Sequence, residues 1–336
     1  MISDARPYYE RFGSVWPNMH AGGLLGKGTF GSVWELISDD GFRQTEAVKE
    51  IVLPPESMGG LNEAKMQGLD SRGAKIYFEG MKRHVLDEAA IMMKLSACPN
   101  VVQIIDYKVC EFDSKEDNIL CVIFMRMERL QPLKERLIFE GITIGGILKL
   151  GIDICKALEE CERQCVLHRD VKPENLFCVP GREMFKLGDF GTAKYSDTSP
   201  SEKELPGALS YIAPEVYSGR KFTYTSDIYS LGMILYRLLN DNRIPFLPPY
   251  PEPYMPEDRD KALTARLKGA TPGLPSVVYS QISSPHPVLR INAENFQTAG
   301  KLSSIATKAV SPVPEDRYHN AAELRAALEE AEHEHF

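Results

Sequence analysis

The sequence has no long apolar run. Segments such as Ile119–Met125 fall far short of the ~20 residues that cross a bilayer, so no membrane segment is expected. The opening Met1-Ile-Ser-Asp-Ala-Arg6 lacks the apolar core of a secretory leader. Basic residues are not in excess: 39 Lys and Arg stand against 47 Asp and Glu, a formal charge of −8, which argues against a nucleic-acid partner. The seven cysteines (Cys98, Cys110, Cys121, Cys155, Cys161, Cys165 and Cys178) show no Cys-x-x-Cys spacing. An odd number of scattered thiols in a large chain reads as reduced side chains in a cytoplasmic protein. Cys161 and Cys165 are four apart on an expected helix and close enough to share a metal, but the nearest histidine, His168, has another use. Internal repeats and low-complexity tails are missing as well.

What remains is an ordinary globular composition. The 336 residues are 43% apolar and 26% charged, enough for a substantial core and long enough for two packed units. Strand signals fill the first 125 or so residues: Leu24–Leu36 around a glycine cluster, Thr45–Leu53, Val101–Cys110, and Asn118–Met127 after a polar turn at Phe112–Asp117. Between them Val85, Ala89, Met92 and Leu95 recur at helical spacing over Val85–Leu95. Pro54–Gly73, with Pro-Pro and Gly-Gly pairs and no period, reads as an inserted loop or a loosely attached helix. From Leu133 the pattern is helical. Ile147–Cys165 is amphipathic, Asp227–Asn240 is apolar enough to be buried, and Ala321–Glu330 closes the chain with Asn320 as its cap. Leu247–Pro256 is proline-rich and reads as a loop.

Three motifs carry chemistry. In Gly26-Lys-Gly-Thr-Phe-Gly-Ser-Val33, Gly26, Gly28 and Gly31 let backbone amides approach phosphate oxygens. Strand-forming residues follow, which favours a hairpin lid over the strand-to-helix turn of dinucleotide folds. Ala47-Val48-Lys49 places a lysine in an apolar strand, where its charge needs partners. Most specific is His168-Arg-Asp-Val-Lys-Pro-Glu-Asn175, followed by Leu187-Gly-Asp-Phe-Gly191.

On these two runs, in this order, the chain resembles the eukaryotic-like protein kinase superfamily from about Leu24 to Leu328. Pro314-Glu-Asp-Arg-Tyr318 gives it the look of a bacterial Ser/Thr member. The resemblance implies an α+β fold with a small antiparallel β-sheet N-lobe carrying one main helix, residues 1–128, and a larger, mainly helical C-lobe, residues 129–336. An insertion falls at about 54–80. It further implies ATP and Mg²⁺ as cofactors, with Mn²⁺ as an alternative ion, and protein substrates with Ser or Thr acceptors. Asp170 would orient the acceptor hydroxyl and take its proton, and Lys172 would steady the γ-phosphate. Asn175 and Asp189 would hold the metal, and Lys49 the α- and β-phosphates. Glu88 would pair with Lys49, with Glu63 and Glu79 as rivals. Val33 and Ala47 would cover the adenine with Leu176 beneath it, Met127 would gate the back pocket, and the backbones of Glu128 and Leu130 would meet the adenine edge. Ala213-Pro-Glu215 would end the activation segment, with Glu215 paired to Arg317 and Asp227 bonded to the catalytic-loop backbone.

One departure stands out. Ser/Thr members carry Gly-Thr before Ala-Pro-Glu, whereas this chain has Gly207-Ala208. Ala208 lacks the hydroxyl that would bridge Asp170 and Lys172, and Ser210 is the nearest substitute. Thr198 and Ser199 are candidate autophosphorylation sites facing Arg169, with Glu202 or Glu204 as standing negative charges in their place. Two other functions compete with an active kinase: a pseudokinase or nucleotide-binding scaffold with weak transfer, and a small-molecule phosphotransferase of related fold. The Pro-rich region Phe246–Asn295 reads either as a decorated loop or as a docking region.

Overall fold

The computed structural model describes residues 7–11, 15–27, 31–40, 45–54, 71–111, 121–195, 209–250, 252–276, 289–290 and 296–333. The chain divides into two compact units, Met1–Ser96 with Val102–Leu130, and Ala97–Val101 with Gln131–Phe336. The five residues 97–101 belong to the second unit, and Asn100 is tied to its backbone. The Asn100 side chain donates to Phe185 O at 3.0 Å, and Leu187 N donates to Asn100 O at 2.8 Å.

The first unit is an antiparallel sheet of order β1-β2-β3-β5-β4: β1 Met19–Lys27, β2 Gly31–Ser38, β3 Thr45–Leu53, β4 Ile104–Glu111 and β5 Cys121–Glu128. Side chains alternate across a strand, and β3 shows both faces. Val48 and Val52 join Leu36, Val122 and Phe124 in a core cluster with Tyr8, Tyr9 and Trp16. Tyr8 and Tyr9 belong to the short helix α1, Tyr8–Arg11. Glu50 shares this face, and its Oε2 accepts from Tyr8 N at 2.7 Å. Ala47, Lys49 and Ile51 turn to the opposite face.

Helix α2 runs over Ser71–Lys94, much longer than the expected Val85–Leu95. Its buried stripe begins at Phe78 and continues through Glu88, Ala89, Ile91 and Met92. The last ten residues of the supposed insertion are therefore helix. Only 55–70 lies outside the described residues there, and the Phe112–Asp117 turn also lies outside them.

The second unit is mainly helical. After β6 (Gln131–Pro132) come α3 (Leu133–Phe139), β7 (Ile142–Thr143) and α4 (Ile144–Arg163). Thr143 Oγ1 caps α4 by accepting from Gly146 N at 3.0 Å, and the apolar stripe of α4 is fully enclosed. Short strands β8 (Val166–Leu167), β9 (Leu176–Cys178), β10 (Phe185–Leu187) and β11 (Lys194–Tyr195) flank the loop that holds residues 168–175. Next are α5 (Pro214–Tyr217), the buried α6 (Tyr224–Leu239), α7 (Pro256–Leu267), α8 (Phe296–Ala309) and α9 (Ala321–His333). Helices α6 and α8 cross closely enough that a Cβ on Gly232 would lie 2.5 Å from that of Ala309. Asn320 Oδ1 caps α9 through Glu323 N at 2.9 Å. Helix α7 lies inside the region read from sequence as irregular. The expected α+β class, with an antiparallel sheet and a separate helical body, is what the chain forms. Among the described residues no helix is long and apolar enough to cross a membrane.

Candidate active site

Strand pairing collects the first group of predicted residues. Val33 lies opposite Lys49 and Lys49 opposite Met125, while Ala47 lies opposite Met127. Directly paired residues of antiparallel strands share a face, so Val33, Ala47, Lys49 and Met127 line one side of the sheet. Lys49 Nζ donates to Glu88 Oε1 at 2.7 Å, with 23% and 6% of the two side chains exposed. Glu88 is thus the partner among the three candidates. Glu79 is exposed on α2, and Glu63 lies outside the described residues. Gly26 pairs with Val33, and a Cβ there would meet nothing within 4 Å. Gly31 has a steric reason of its own, since a Cβ would sit 1.9 Å from Glu50 O. Gly28 lies outside the described residues. At the end of β5, Glu128 N donates to Gln103 O at 3.1 Å and Glu128 Oε1 accepts from Gln103 N at 2.7 Å, which fixes the chain where it passes to the half-buried Leu130.

The second group is built around one buried carboxylate. Asp227, near the start of α6, accepts from His168 N through Oδ2 and from Arg169 N through Oδ1, both at 2.9 Å. Burial pushes its pKa from 3.8 up to about 7, although those two amides pull the other way. The clamp holds Arg169 at φ 70, and Asp189 sits at φ 58. Non-glycine residues in this left-handed region cost about 1–3 kcal/mol each and persist where the surroundings over-determine them. Burial also lowers the His168 pKa and keeps the ring neutral. Its Nε2 faces Gly188 O at 3.1 Å, and its Nδ1 accepts from Asp170 N at 3.3 Å. The proton is therefore on Nε2, and the ring ties the 168–170 turn to the backbone just before Asp189.

Asp170 is buried. Its Oδ2 accepts from Lys172 Nζ at 2.6 Å and from Asn175 Nδ2 at 3.0 Å. Its Oδ1 is buried with no hydrogen-bond partner. A buried, unpaired carboxylate oxygen is costly, and here it is an acceptor poised for a donor. Asn175 Nδ2 also donates to Asp170 O at 2.8 Å, so the Asn175 amide oxygen turns away from Asp170. Gly188 N donates to Asn175 O at 2.9 Å, which joins the Asn175 end of the loop to the Asp189 end. Asn175 and Asp189 offer hard oxygen donors. No group of three or more His, Cys, Asp or Glu able to hold a metal occurs among the described residues. Two oxygens suit an ion such as Mg²⁺ that keeps waters and arrives with phosphates.

Two expectations are revised. Leu176 is 0% exposed and has no surface to offer a ligand. The next residue, Phe177, points to the other side of β9 and is partly exposed. Strand alternation was the signal that distinguishes them. Cys161 is buried in α4, whereas Cys165 is exposed in a left-handed residue beyond its end, so the helical spacing does not bring the two thiols to one site. None of the seven cysteines is in a disulfide. Thr198, Ser199, Glu202, Glu204 and Ala208 lie outside the described residues.

Glu215 and Arg317 form a bidentate pair at 2.8 and 2.7 Å. Arg317 also donates to Ser311 O at 2.7 Å and lies 4.7 Å from the Tyr229 ring centroid. Burial alone would raise the Glu215 pKa. The hydrogen bonds and charge of Arg317 outweigh it and hold the carboxyl below its usual range.

A family model described as protein kinase domain matches residues 19–251. The serine/threonine-protein kinase Pkn1 of Myxococcus xanthus is 31% identical over 58% of this chain and 25% of its own length. The serine/threonine-protein kinase GIN4 of Saccharomyces cerevisiae is 30% identical over 67% of this chain and 18% of its own. The serine/threonine-protein kinase PknH of Mycobacterium tuberculosis is 27% identical over 98% of this chain and 44% of its own. The chain thus spans less than half the length of each of these relatives.

Proposed function

We propose, from the premise that this chain belongs to the protein kinase domain family, that it transfers the γ-phosphoryl group of ATP to Ser or Thr hydroxyls of proteins. The observation that carries this reading is the partnerless Asp170 Oδ1 beside Lys172 and Asn175. An acceptor hydroxyl donates to that oxygen, which orients its lone pair toward the γ-phosphorus. As the new O–P bond forms, the bond to the bridging oxygen breaks, ADP leaves, and the hydroxyl proton passes to Asp170. Lys172 offsets the negative charge on the moving phosphoryl group. Lys49, oriented by Glu88, holds the α- and β-phosphates. Val33 and Ala47 cover the adenine, and the backbones of Glu128 and Leu130 meet its edge. Met127 gates the space behind. Asn175 and Asp189 would hold Mg²⁺, which neutralises phosphate charge when bound.

Thiols outside any disulfide fit a cytoplasmic setting, and autophosphorylation within 192–206 belongs to the same proposal. The test is incubation with γ-labelled ATP, Mg²⁺ and generic protein acceptors, followed by acid hydrolysis. Labelled phosphoserine or phosphothreonine is expected, and none with Asp170→Asn. Label on phosphotyrosine alone, or equal label with the variant, contradicts the reading. A phosphopeptide map of the chain itself decides whether 192–206 is modified.

A further inference from the structure

A cavity of about 770 Å³ opens in the second unit beside Lys172, walled by α3, the catalytic loop, Ser210–Tyr211, the end of α6 and one residue of α7. We propose that it selects acceptor proteins carrying an anionic side chain, a carboxylate or a phosphate monoester, close to the acceptor hydroxyl. This rests on the kinase reading and adds a substrate class to it.

The charge of the wall runs against that of the chain. The whole sequence carries −8, yet Lys134, Lys172, Arg237 and Arg259 line this cavity against the single carboxylate of Glu174. Solvated surface charges scatter over separate faces, whereas these four cations come from α3, the catalytic loop, α6 and α7 and converge on one space. Several arginines elsewhere have carboxylate partners, Arg126 with Glu46, Arg317 with Glu215 and Arg325 with Glu159, while the buried Arg243 and Arg266 are held by carbonyl and hydroxyl oxygens. Among the described residues no carboxylate pairs with Lys134, Arg237 or Arg259.

Arg237 is the most telling. Its guanidinium donates to the Tyr211 hydroxyl, to Asn242 O at 3.2 Å and to Asn242 Oδ1 at 2.8 Å, and it lies 5.0 Å from the Tyr211 ring centroid. Neutral partners thus hold a positive charge in place without cancelling it, which lowers the cost of ordering it around a ligand. The cavity also reaches the chemistry, since Lys172 Nζ is 2.6 Å from Asp170 Oδ2. Ile138, 59% exposed, adds apolar surface to the same wall, so an apolar neighbour of the anionic residue fits as well.

The test is a panel of single-serine peptides carrying Glu, phosphoserine, Ala or Lys at each position around the acceptor, with kcat/KM measured for each. At one or more positions Glu or phosphoserine is expected to exceed Lys by about tenfold or more, as charge complementarity of this kind allows. The doubly reversed Lys134→Glu/Arg259→Glu chain should lose or invert that ratio. Comparing peptides within one variant removes any general loss of activity. The Glu and phosphoserine arms show which anion is preferred. Equal rates for Glu, Ala and Lys peptides, or a preference for Lys, overturn the proposal and leave the kinase reading intact. If no peptide or protein is labelled at all, the kinase reading fails. Fluorescence anisotropy of the labelled peptides then decides this proposal separately: tighter binding of the anionic peptides, lost on reversal, supports it, and equal affinities overturn it.

Discussion

Two lysine- or arginine-to-glutamate pairs, one in each unit, look alike in distance and differ in everything else. Arg317 and Glu215 form a two-pronged pair with 0% and 6% of their side chains exposed, and further carbonyl bonds surround the guanidinium. Lys49 and Glu88 share one close contact, with 23% of the lysine exposed. The first pair has no surface left for a ligand and can only hold structure. The second orients an ammonium that remains reachable. Burial and the number of prongs, more than the distance, separate a structural ion pair from one placed for chemistry.

The sharpest way to break this comparison is to remove one cation from each pair. Arg317→Met leaves a buried, uncompensated carboxylate and should cost about 3–5 kcal/mol, read as a fall in the urea midpoint. Lys49→Met uncovers a carboxylate as buried as Glu215 but beside a position that is 23% exposed, so it should cost less than Arg317→Met by the same measurement, yet lower phosphoryl transfer on the order of 10²–10³-fold. Equal stability losses for the two variants would dissolve the distinction.

Next in size is the α6–α8 crossing. Gly232→Ala places a Cβ 2.5 Å from that of Ala309 and should cost about 1–3 kcal/mol. Gly26→Ala, with nothing within 4 Å of the added carbon, should leave the midpoint nearly unchanged. A stable Gly232→Ala chain would mean that the helices separate without penalty.

A separate effect concerns pH and sets Glu215 against Asp227. Asp227 rises from 3.8 to about 7 on folding. Its carboxyl favours the folded state below the unfolded pKa and loses that contribution as pH climbs from about 4 through 7. Glu215 is held low, so its contribution is present above the unfolded pKa and disappears as pH falls through the folded one. Urea unfolding across pH 4–8 should therefore show a component falling with pH that Asp227→Asn removes. An identical slope in both chains would place the titration elsewhere.

Much of the site was legible because its chemistry is contiguous. Asp170, Lys172 and Asn175 lie in one loop, Asp189 follows β10, and Lys49 stands in a strand whose pairing brings Val33 and Met127 to its face. Glu88 was recoverable from helical spacing beside Asn100-Val101. The start of α2 was not, because Ile76 and Tyr77 are exposed and the Gly73 and Gly80 positions weaken the pattern, although Phe78 continues the stripe. Helix α7 was hidden by its composition: Pro256–Leu267 is highly charged and buries only Ala262, Arg266 and Leu267. The packing of Tyr8, Tyr9 and Trp16 on the sheet has no local signal, since a four-residue helix carries no period. Nor does the cationic cavity, because Lys134, Arg237 and Arg259 are distant in sequence and meet only through the fold.

The central claim is that Asp170 acts on the acceptor hydroxyl and not on the nucleotide. Single-turnover transfer to a serine peptide, with ATP affinity measured in parallel, tests it most directly in Asp170→Asn. The account predicts nucleotide affinity within about threefold of the parent and a transfer rate lower by roughly 10²–10⁴. Transfer at the parent rate, or a variant that fails only because it no longer binds ATP, would contradict it.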